Sequence, residues 1–150
     1  MVRHKNRYMV VEINEVSKKD DAPLKLRAPS LHHSVMNMVQ QLYGDFGVAA
    51  ITAGFTAKYC NEKTRIAVVR CRHGPHKFVA SSLPCIKFIE QKSVHVNTLY
   101  LGATIKHCFK FIQRYQQRKL DEYCVGLKSD EEKVALRKAI MNLDPVLSMQ

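Results

Sequence analysis

The sequence predicts an α+β fold, a mixed α/β sandwich in which helices pack on an antiparallel sheet. Two observations lead to this fold class. The spacing of apolar residues switches along the chain between the alternation typical of strands and the period of about 3.6 residues typical of helices. Residues that favour turns separate these segments. At 150 residues, with 46% hydrophobic and 25% charged side chains, the chain has the composition of a globular protein and is long enough to bury a core.

The chain begins with a predicted strand and a predicted helix. Residues 8–16 combine aromatic and β-branched side chains, which favour a strand, and residues 17–23 favour a turn. Pro29 and Ser30 are suitable residues for a helix start, and apolar residues at helical spacing follow them. Gly44 is a suitable C-cap for that helix.

A hairpin and a second helix are predicted next. Residues 49–59 alternate between two faces and predict a half-buried strand. A turn at residues 61–63 joins it to a more buried strand at residues 65–72. Residues 76–90 have helical spacing, and Pro84 should bend this helix because proline lacks a backbone N–H and clashes with the preceding turn.

The last predicted elements are one strand and two helices. Residues 94–101 predict a strand, and residues 105–123 and 129–143 predict helices, the latter opening on an acidic first turn. The order β-α-β-β-α-β is the split β-α-β, or ferredoxin-like, arrangement that RNA-recognition motifs share. We predict one RRM-like domain at residues 1–124 and a helical extension, at residues 125–150, packed on or near it.

The charge of the chain is strongly basic and unevenly placed. The net charge is +11 and the pI is about 9.6, which indicates a polyanion or an acidic surface as partner. Residues 121–150 carry four cationic and six anionic side chains, whereas the rest of the chain carries 20 and seven. The basic character therefore belongs to the main body, and the acidic tail is better suited to contact with protein.

A basic arm precedes the first strand. Arg3, Lys5 and Arg7 alternate along it with no acidic residue between them. In an extended chain, side chains two residues apart share a face, so these three would project together and suit a phosphate backbone. A solvated, frayed N-terminus is the alternative interpretation.

Two further groups of cations have a regular spacing. Arg70 and Arg72 share one face of the predicted third strand and suit phosphate contact, although ordinary strand-end charges are the alternative. The predicted helix at residues 105–123 carries cations at every fourth position, at Lys106, Lys110, Arg114 and Arg118. Residues four apart lie on one helix face, so they form a basic stripe, which is either a nucleic-acid contact or a solvated face. The third strand has no aromatic residue, so base stacking on the sheet is not predicted.

No motif predicts catalysis by the polypeptide. The chain has no H-E-x-x-H, paired carboxylates, G-x-S-x-G or phosphate-binding glycine loop. Cys71 lies near His73 and His76, but no fourth ligand or orienting acid has a useful spacing, so we interpret the histidines as surface or half-buried residues. The five cysteines are scattered without C-x-x-C and are interpreted as reduced thiols. No apolar run reaches the ~20 residues of a membrane span, and we expect no signal peptide or mitochondrial presequence.

Several short segments resemble one family. They are residues 1–8 (MVRHKNRY), 44–47 (GDFG), 70–72 (RCR), 97–99 (NTL) and 102–105 (GATI). In this order they resemble the small Pop-type protein subunit, the "Pop-five" family, of ribonuclease P and ribonuclease MRP. The likeness extends from residue 1 to about residue 115, and its most specific part is the basic N-terminal motif, which resembles V-R-x-K-x-R-Y.

The resemblance implies an RRM-like, non-catalytic cofactor of a catalytic RNA. That RNA, with its own Mg²⁺, would remove the 5′ leader of precursor tRNA, and the MRP particle would process ribosomal RNA precursors. No cofactor is expected on the protein, and the implied partners are the particle's RNA, a TIM-barrel-like subunit and other particle proteins. The implied location is the nucleus and nucleolus. Carried over by position, the implied RNA contacts are Arg3, Lys5, Arg7 and Tyr8, followed by Gly102 and Thr104.

Two other functions remain open from the residues alone. One is a stand-alone ferredoxin-like enzyme, such as a small phosphatase, with Arg70 or Arg72 as its anion clamp. The other is a protein-interaction module whose basic face meets an acidic partner. Turnover of an acyl phosphate without RNA would favour the first, and co-purification with acidic protein but no RNA would favour the second.

Overall fold

The computed structural model describes residues 3–16, 24–126 and 129–141. The chain divides into two compact units, Met1–Cys108 and Phe109–Gln150. This boundary falls inside a helix, and the predicted division after residue 124 stays a prediction.

The first unit contains a five-stranded sheet in which all paired strands are antiparallel. The strands are β1 (Asn6–Glu15), β2 (Thr56–Asn61), β3 (Ile66–Arg72), β4 (Phe88–Ile89) and β5 (Lys92–Gly102), in the spatial order β2-β3-β1-β5-β4. The helices of the chain are α1 (Ala28–Thr52), α2 (His76–Ser82), α3 (Ile105–Cys124) and α4 (Asp130–Ile140), with a 3₁₀ turn at Leu83–Cys85.

The split β-α-β arrangement is confirmed. β3 lies between β1 and β2, the strands that α1 connects, and β1 lies between β3 and β5, which are connected through α2. Each helical connection therefore skips one strand of the sheet, which is the defining feature of the ferredoxin-like arrangement.

One face of the sheet packs against α1 and α2. Strand residues alternate between the faces, and Met9, Val11 and Ile13 of β1 join the main core cluster. Val35 of α1 and Val79 of α2 belong to the same cluster. The main core therefore lies between the sheet and these two helices.

The region predicted as a strand at residues 49–59 is partly helical. Gly44 has the non-helical angles φ 64° and ψ −157°, so the first helical segment of α1 ends there at a kink, as predicted, and a second helical segment follows it. Gly47 and Ile51, four residues apart, are buried on the second half of the helix. The prediction was wrong here because the alternation rested on alanines, which fit a helix at least as well as a strand.

The helix predicted at residues 76–90 is also shorter than expected. α2 ends at Ser82, a 3₁₀ turn contains Pro84, and the short strand β4 follows. Proline cannot donate to the preceding turn of an α-helix, so Pro84 ends the helix rather than bending it. β4 then pairs with β5 through a two-residue turn in which Glu90 and Gln91 both have positive φ.

Two strand pairs change register near the middle of the sheet. Val10 of β1 pairs with Tyr100 of β5, whereas Val11 pairs with Thr98, so β5 has one extra residue at Leu99. β2 likewise has an extra residue, Lys58, between the residues that pair with β3. An extra residue of this kind is a β-bulge, which increases the local twist.

The remaining predicted elements match the structure to within a few residues at their ends. Ser129 lies at the N-cap position of α4, where its side chain makes no capping hydrogen bond, and the predicted acidic first turn follows it. The predicted turn at residues 17–23 and the predicted helical residues 142–143 lie outside the described residues. None of the helices in the described ranges is both long and apolar enough to cross a membrane.

Candidate nucleic-acid interface

Three segments that are distant in sequence meet at one end of the sheet. Asn6 pairs with Arg72, Tyr8 pairs with Arg70, and Tyr8 also pairs with Gly102 on its other side. The start of β1, the end of β3 and the end of β5 therefore lie side by side. Most of the predicted RNA contacts of the first unit belong to this sheet end.

One face of this sheet end carries Tyr8, Arg70 and Arg72. Directly paired residues share a face, as do residues two apart on one strand. Cys71, between the two arginines, points to the main core and is fully buried. The predicted alignment of Arg70 and Arg72 on one face is thus confirmed by the strand register.

Arg70 is a partly desolvated cation. Its Nε atom is buried, and no hydrogen-bond acceptor for it is found among the residues that the structure describes. The Oγ1 of Thr56, the residue that pairs with Arg70 on β2, is buried and unpartnered in the same way. A buried donor without an acceptor is costly, so an anion or water at this point would be stabilising.

The basic arm leads directly into this sheet end. Arg3 and Lys5 are exposed, and Arg7 is half-buried. The backbone N–H of His73 donates to the Lys5 carbonyl at 2.8 Å, which extends the β1–β3 ladder beyond Asn6. Arg7 pairs with Cys71 and therefore lies on the helix-bearing face, opposite to Tyr8 and Arg70.

Gly102 and Thr104 have local structural roles. A Cβ added to Gly102 would lie 2.8 Å from Tyr100 Cε1 and 3.1 Å from Cys108 Sγ. Thr104 precedes α3, and its Oγ1 accepts a hydrogen bond from the His107 backbone N–H at 3.3 Å. This is the contact of an N-cap residue. Gly102 is buried and Thr104 is exposed.

The basic stripe of α3 is exposed along its whole length. The four cations of the stripe are Lys106, Lys110, Arg114 and Arg118. Four of the five buried residues of the helix also recur every fourth position, namely Cys108, Ile112, Gln116 and Leu120, and the fifth is Phe109. These four are offset by two positions from the stripe, which places the two sets on opposite sides of the helix.

The ion pairs found in the described ranges leave these cations uncompensated. They join Lys92 to Glu15 at 3.4 Å and Lys133 to Asp130 at 3.5 Å, and neither involves a predicted RNA contact. A phosphate that approaches the sheet end or the stripe therefore does not have to displace one of these carboxylates.

The sequence analysis missed a cluster of basic side chains on the helix-bearing face. His76 is only 7% exposed, and its Nδ1 accepts a hydrogen bond from the Gly74 N–H at 3.1 Å. Its ring stacks on that of His73 with centroids 5.3 Å apart. Burial lowers the pKa of His76, and the positive charges of His73, Arg7 and Lys77 lower it further. Only the spacing of the two histidines was visible in the sequence, because the approach of Arg7 depends on strand register.

The cysteines and histidines form neither disulfides nor a metal centre in the described ranges. All five cysteines are free. Burial raises the pKa of the Cys60 and Cys108 thiols to about 11, so both stay protonated near neutral pH. No group of three or more His, Cys, Asp or Glu side chains within residues 3–16, 24–126 and 129–141 could hold a metal ion.

Comparisons with known proteins agree on one family. The sequence pattern of the Rpp14/Pop5 family matches residues 7–113. The chain is 34% identical over 144 residues to "Ribonuclease P/MRP protein subunit POP5" of Homo sapiens, a match that covers 93% of this chain and 87% of the human one. It is 30% identical over 120 residues to "Ribonuclease P protein component 2" of Methanobrevibacter smithii, over 75% of this chain and 92% of that one.

A solved structure shares the fold. A chain in the cryo-EM structure of yeast ribonuclease MRP superposes with a TM-score of 0.56 at 12% sequence identity, covering 99% of this chain and 98% of that chain. At this identity the likeness concerns the fold alone.

Proposed function

Because this chain belongs to the Rpp14/Pop5 family, we propose that it is a non-catalytic protein subunit of ribonuclease P and ribonuclease MRP that binds the RNA of these particles. The observation that carries the proposal is the sheet end, where strand pairing places the cations of the arm beside those at the end of β3, a distant part of the sequence. That sheet end lies almost wholly within the residues that match the family.

The proposed mechanism is electrostatic. Phosphates packed around an RNA active site repel one another. Cationic side chains fixed on a protein reduce that repulsion without the loss of entropy that confining free counterions would require. Arg70 is held by the sheet with its Nε already desolvated, so little conformational freedom is lost on binding. Arg3 and Lys5 are exposed on the arm and would close over the backbone beside it.

The proposed contacts divide into two groups. The first group surrounds the sheet end and consists of Arg3, Lys5, Arg7, Tyr8, Arg70, Arg72, Gly102 and Thr104. The second group is the stripe of α3. Because Gly102 is buried, its part would be to let Tyr8 and the start of α3 approach the RNA closely, not to touch it with a side chain.

The remaining parts of the proposal follow from the family. The particle's RNA, with Mg²⁺, would cleave the 5′ leader of precursor tRNA, and the MRP particle would process ribosomal RNA precursors. A TIM-barrel-like protein subunit would be a direct partner, and the chain would work in the nucleus and nucleolus. The acidic α4, with Asp130, Glu131 and Glu132 in its first turn, suits contact with protein better than contact with RNA.

The test is to purify the tagged protein from its own cells in mild salt and to sequence the RNA that accompanies it. Enrichment of ribonuclease P or MRP RNA is the expected result. The triple variant Arg3→Glu, Lys5→Glu and Arg7→Glu should lose that RNA, because it reverses the charge of the arm.

A matched control reverses three cations elsewhere. Lys25, Lys63 and Lys87 are exposed and lie outside the arm, β1 and the ends of β3 and β5. Their change to Glu should leave the RNA bound. A lone protein without enriched RNA would overturn the proposal, and turnover of acyl phosphate by that protein would favour the phosphatase alternative.

A further inference from the structure

Four basic side chains lie near one another at the sheet end, where Arg7, His73 and Lys77 are close enough to lower the pKa of His76. Arg7 belongs to β1, His73 to the turn after β3, and His76 and Lys77 to α2. We call Arg7, His73, His76 and Lys77 the histidine cluster. Its rings are held in place, since His73 and His76 stack at 5.3 Å with 20° between their planes. The His73 N–H bonded to the Lys5 carbonyl fixes the cluster to the arm.

His76 presents a defined hydrogen-bond donor. Its Nδ1 accepts from the Gly74 N–H, so the proton of the neutral ring is carried by Nε2. No hydrogen bond to Nε2 is found in the part of the chain that the structure describes. A nearly buried imidazole thus keeps one donor without a partner, and burial strengthens its interaction with an anion.

The charges that act on His76 are all positive. They are Arg7 from β1, His73 from the turn and Lys77 from α2, and each lowers the pKa of His76 in addition to the larger effect of burial. The residue paired with Arg7 is Cys71, a buried thiol whose pKa is raised chiefly by burial. The cluster therefore concentrates positive potential where a bound anion would be stabilised.

We propose that the histidine cluster binds a phosphodiester of the RNA, as a second contact on the face of the sheet end opposite to Arg70 and Arg72. The inference rests on the proposed function, because it takes the RNA as the source of the phosphodiester. Arg7 and Lys77 supply charge, and the His76 Nε2–H and the exposed ring of His73 supply donors. An RNA strand that passes the start of β1 is then held from both faces of the sheet.

The cluster makes RNA binding depend on pH. A bound phosphodiester favours the protonated forms of nearby imidazoles, whereas in the free protein the pKa of His76 is lowered. Proton uptake by His76 takes place at Nδ1 and breaks the hydrogen bond from the Gly74 N–H. We expect the bound phosphodiester to outweigh that cost, so binding is coupled to proton uptake and the affinity increases as the pH falls from about 7.5 to about 5.5. A contact made only by arginine and lysine would have no such dependence in this range.

The test measures the affinity of the full-length protein for a single-stranded uridylate oligonucleotide by fluorescence anisotropy at both pH values. His73→Gln and Lys77→Gln are the informative variants, because both side chains are exposed and their loss should not affect folding. At the lower pH, His73→Gln should weaken binding by about tenfold, the worth of one charge-assisted hydrogen bond. It should also reduce the pH dependence, because without the His73 charge the pKa of His76 in the free protein is lowered less. Lys77→Gln should weaken binding at both pH values.

His95→Gln is the matched control. His95 is an exposed histidine that pairs with Asn14, at the other end of β1, and its change should leave affinity and pH dependence unaltered. If the His73 and Lys77 variants bind like the unchanged protein at both pH values, the proposal that the histidine cluster binds a phosphodiester is overturned and the proposed function is unaffected. The same holds if the oligonucleotide does not bind while particle RNA still co-purifies from cells. If the oligonucleotide does not bind and particle RNA does not co-purify from cells, both proposals are overturned.

Discussion

At the scale of single residues, Thr104 combines two roles that mutation can separate. The proposed function makes Thr104 a proposed RNA contact, whereas its Oγ1 is seen to accept the His107 backbone N–H and to cap α3. Any loss of RNA binding on mutation of Thr104 therefore has to be corrected for the loss of the cap.

We predict that Thr104→Ala lowers the free energy of unfolding by about 1 kcal/mol, because the N-cap acceptor is lost. Thr104→Ser should retain most of the stability, since the serine hydroxyl can accept the same hydrogen bond. Urea denaturation of the two variants checks this. Equal stability of the alanine variant and the unchanged protein would contradict the capping role.

The residues of the site were predictable to the extent that they depend on local order. The alternation of strand side chains was sufficient to place Arg70 and Arg72 on one face. The pairing of Tyr8 with Arg70 and Gly102 depends on strand register, which no local pattern contains. His76 was missed for the same reason, because its burial and the approach of Arg7 arise only when α2 and β1 pack on the same face.

At the scale of elements, α1 shows how one glycine decides the course of a helix. Gly44 was predicted to end the helix, and its φ of 64° and ψ of −157° do interrupt the helical backbone, but a second helical segment follows and extends to Thr52. This combination of angles is essentially restricted to glycine.

We predict that Gly44→Ala lowers the free energy of unfolding by about 1–3 kcal/mol through backbone strain. A Cβ at this position would meet no atom within 4 Å, so steric overlap does not contribute. The sign of the change in the free energy of unfolding is informative, because Gly→Ala in an ordinary helix interior is stabilising. Thermal unfolding measures the change in stability. Gly126→Ala is the control, since Gly126 has no positive φ. A Gly44→Ala variant more stable than the unchanged protein would show that the kink is not required.

The stripe of α3 should favour binding at a small cost in stability. We predict that Lys110→Gln with Arg114→Gln reduces the slope of log K against log salt by about 1.4, the effect of two phosphate contacts to single-stranded RNA. The affinity should fall to a similar extent for RNAs of different sequence, because phosphate contacts carry no sequence information. Relief of the like-charge pair should stabilise the helix by roughly 0.2–0.5 kcal/mol.

The control for the stripe is Arg137→Gln with Lys138→Gln, which removes two exposed cations from α4. This variant should bind RNA with an unchanged salt slope. A loss that depends strongly on RNA sequence in the α3 variant would instead indicate base readout.

Element boundaries were predicted best where a single strong signal acts. The acidic first turn of α4 and the hairpin between β2 and β3 follow from local chemistry, and Asn61 Oδ1 accepts the Lys63 and Thr64 backbone N–H groups in the hairpin turn. The boundaries failed at residues 49–59, where alanines fit either period, and after Pro84, where a new edge strand replaces a helix. β4 is stabilised by pairing with β5. The local sequence pattern of residues 76–90 does not show this pairing.

At the scale of the whole molecule, the number of phosphates neutralised is a measurable quantity. If the chain contacts about six phosphates of single-stranded RNA, the slope of log K against log salt should be near −4. Titration of the specific complex at several salt concentrations measures it, and Lys63→Gln should not change it. A slope near zero would contradict an electrostatic mode of binding.

The two β-bulges restrict how this protein can change during evolution. Leu99 is the extra residue that moves Tyr100 and Gly102 to the side of Tyr8, whereas Val94 and Val96 earlier in β5 remain in the main core. Deleting Leu99 would remove the bulge and leave Gly102 opposite Tyr8, whereas deleting Leu101 from the regular ladder would move Gly102 opposite Met9, on the other face of the sheet. Lineages can therefore exchange or lose the extra residues Leu99 and Lys58, but a deletion in the regularly paired end of β5 would separate the parts of the interface even if every basic residue were retained.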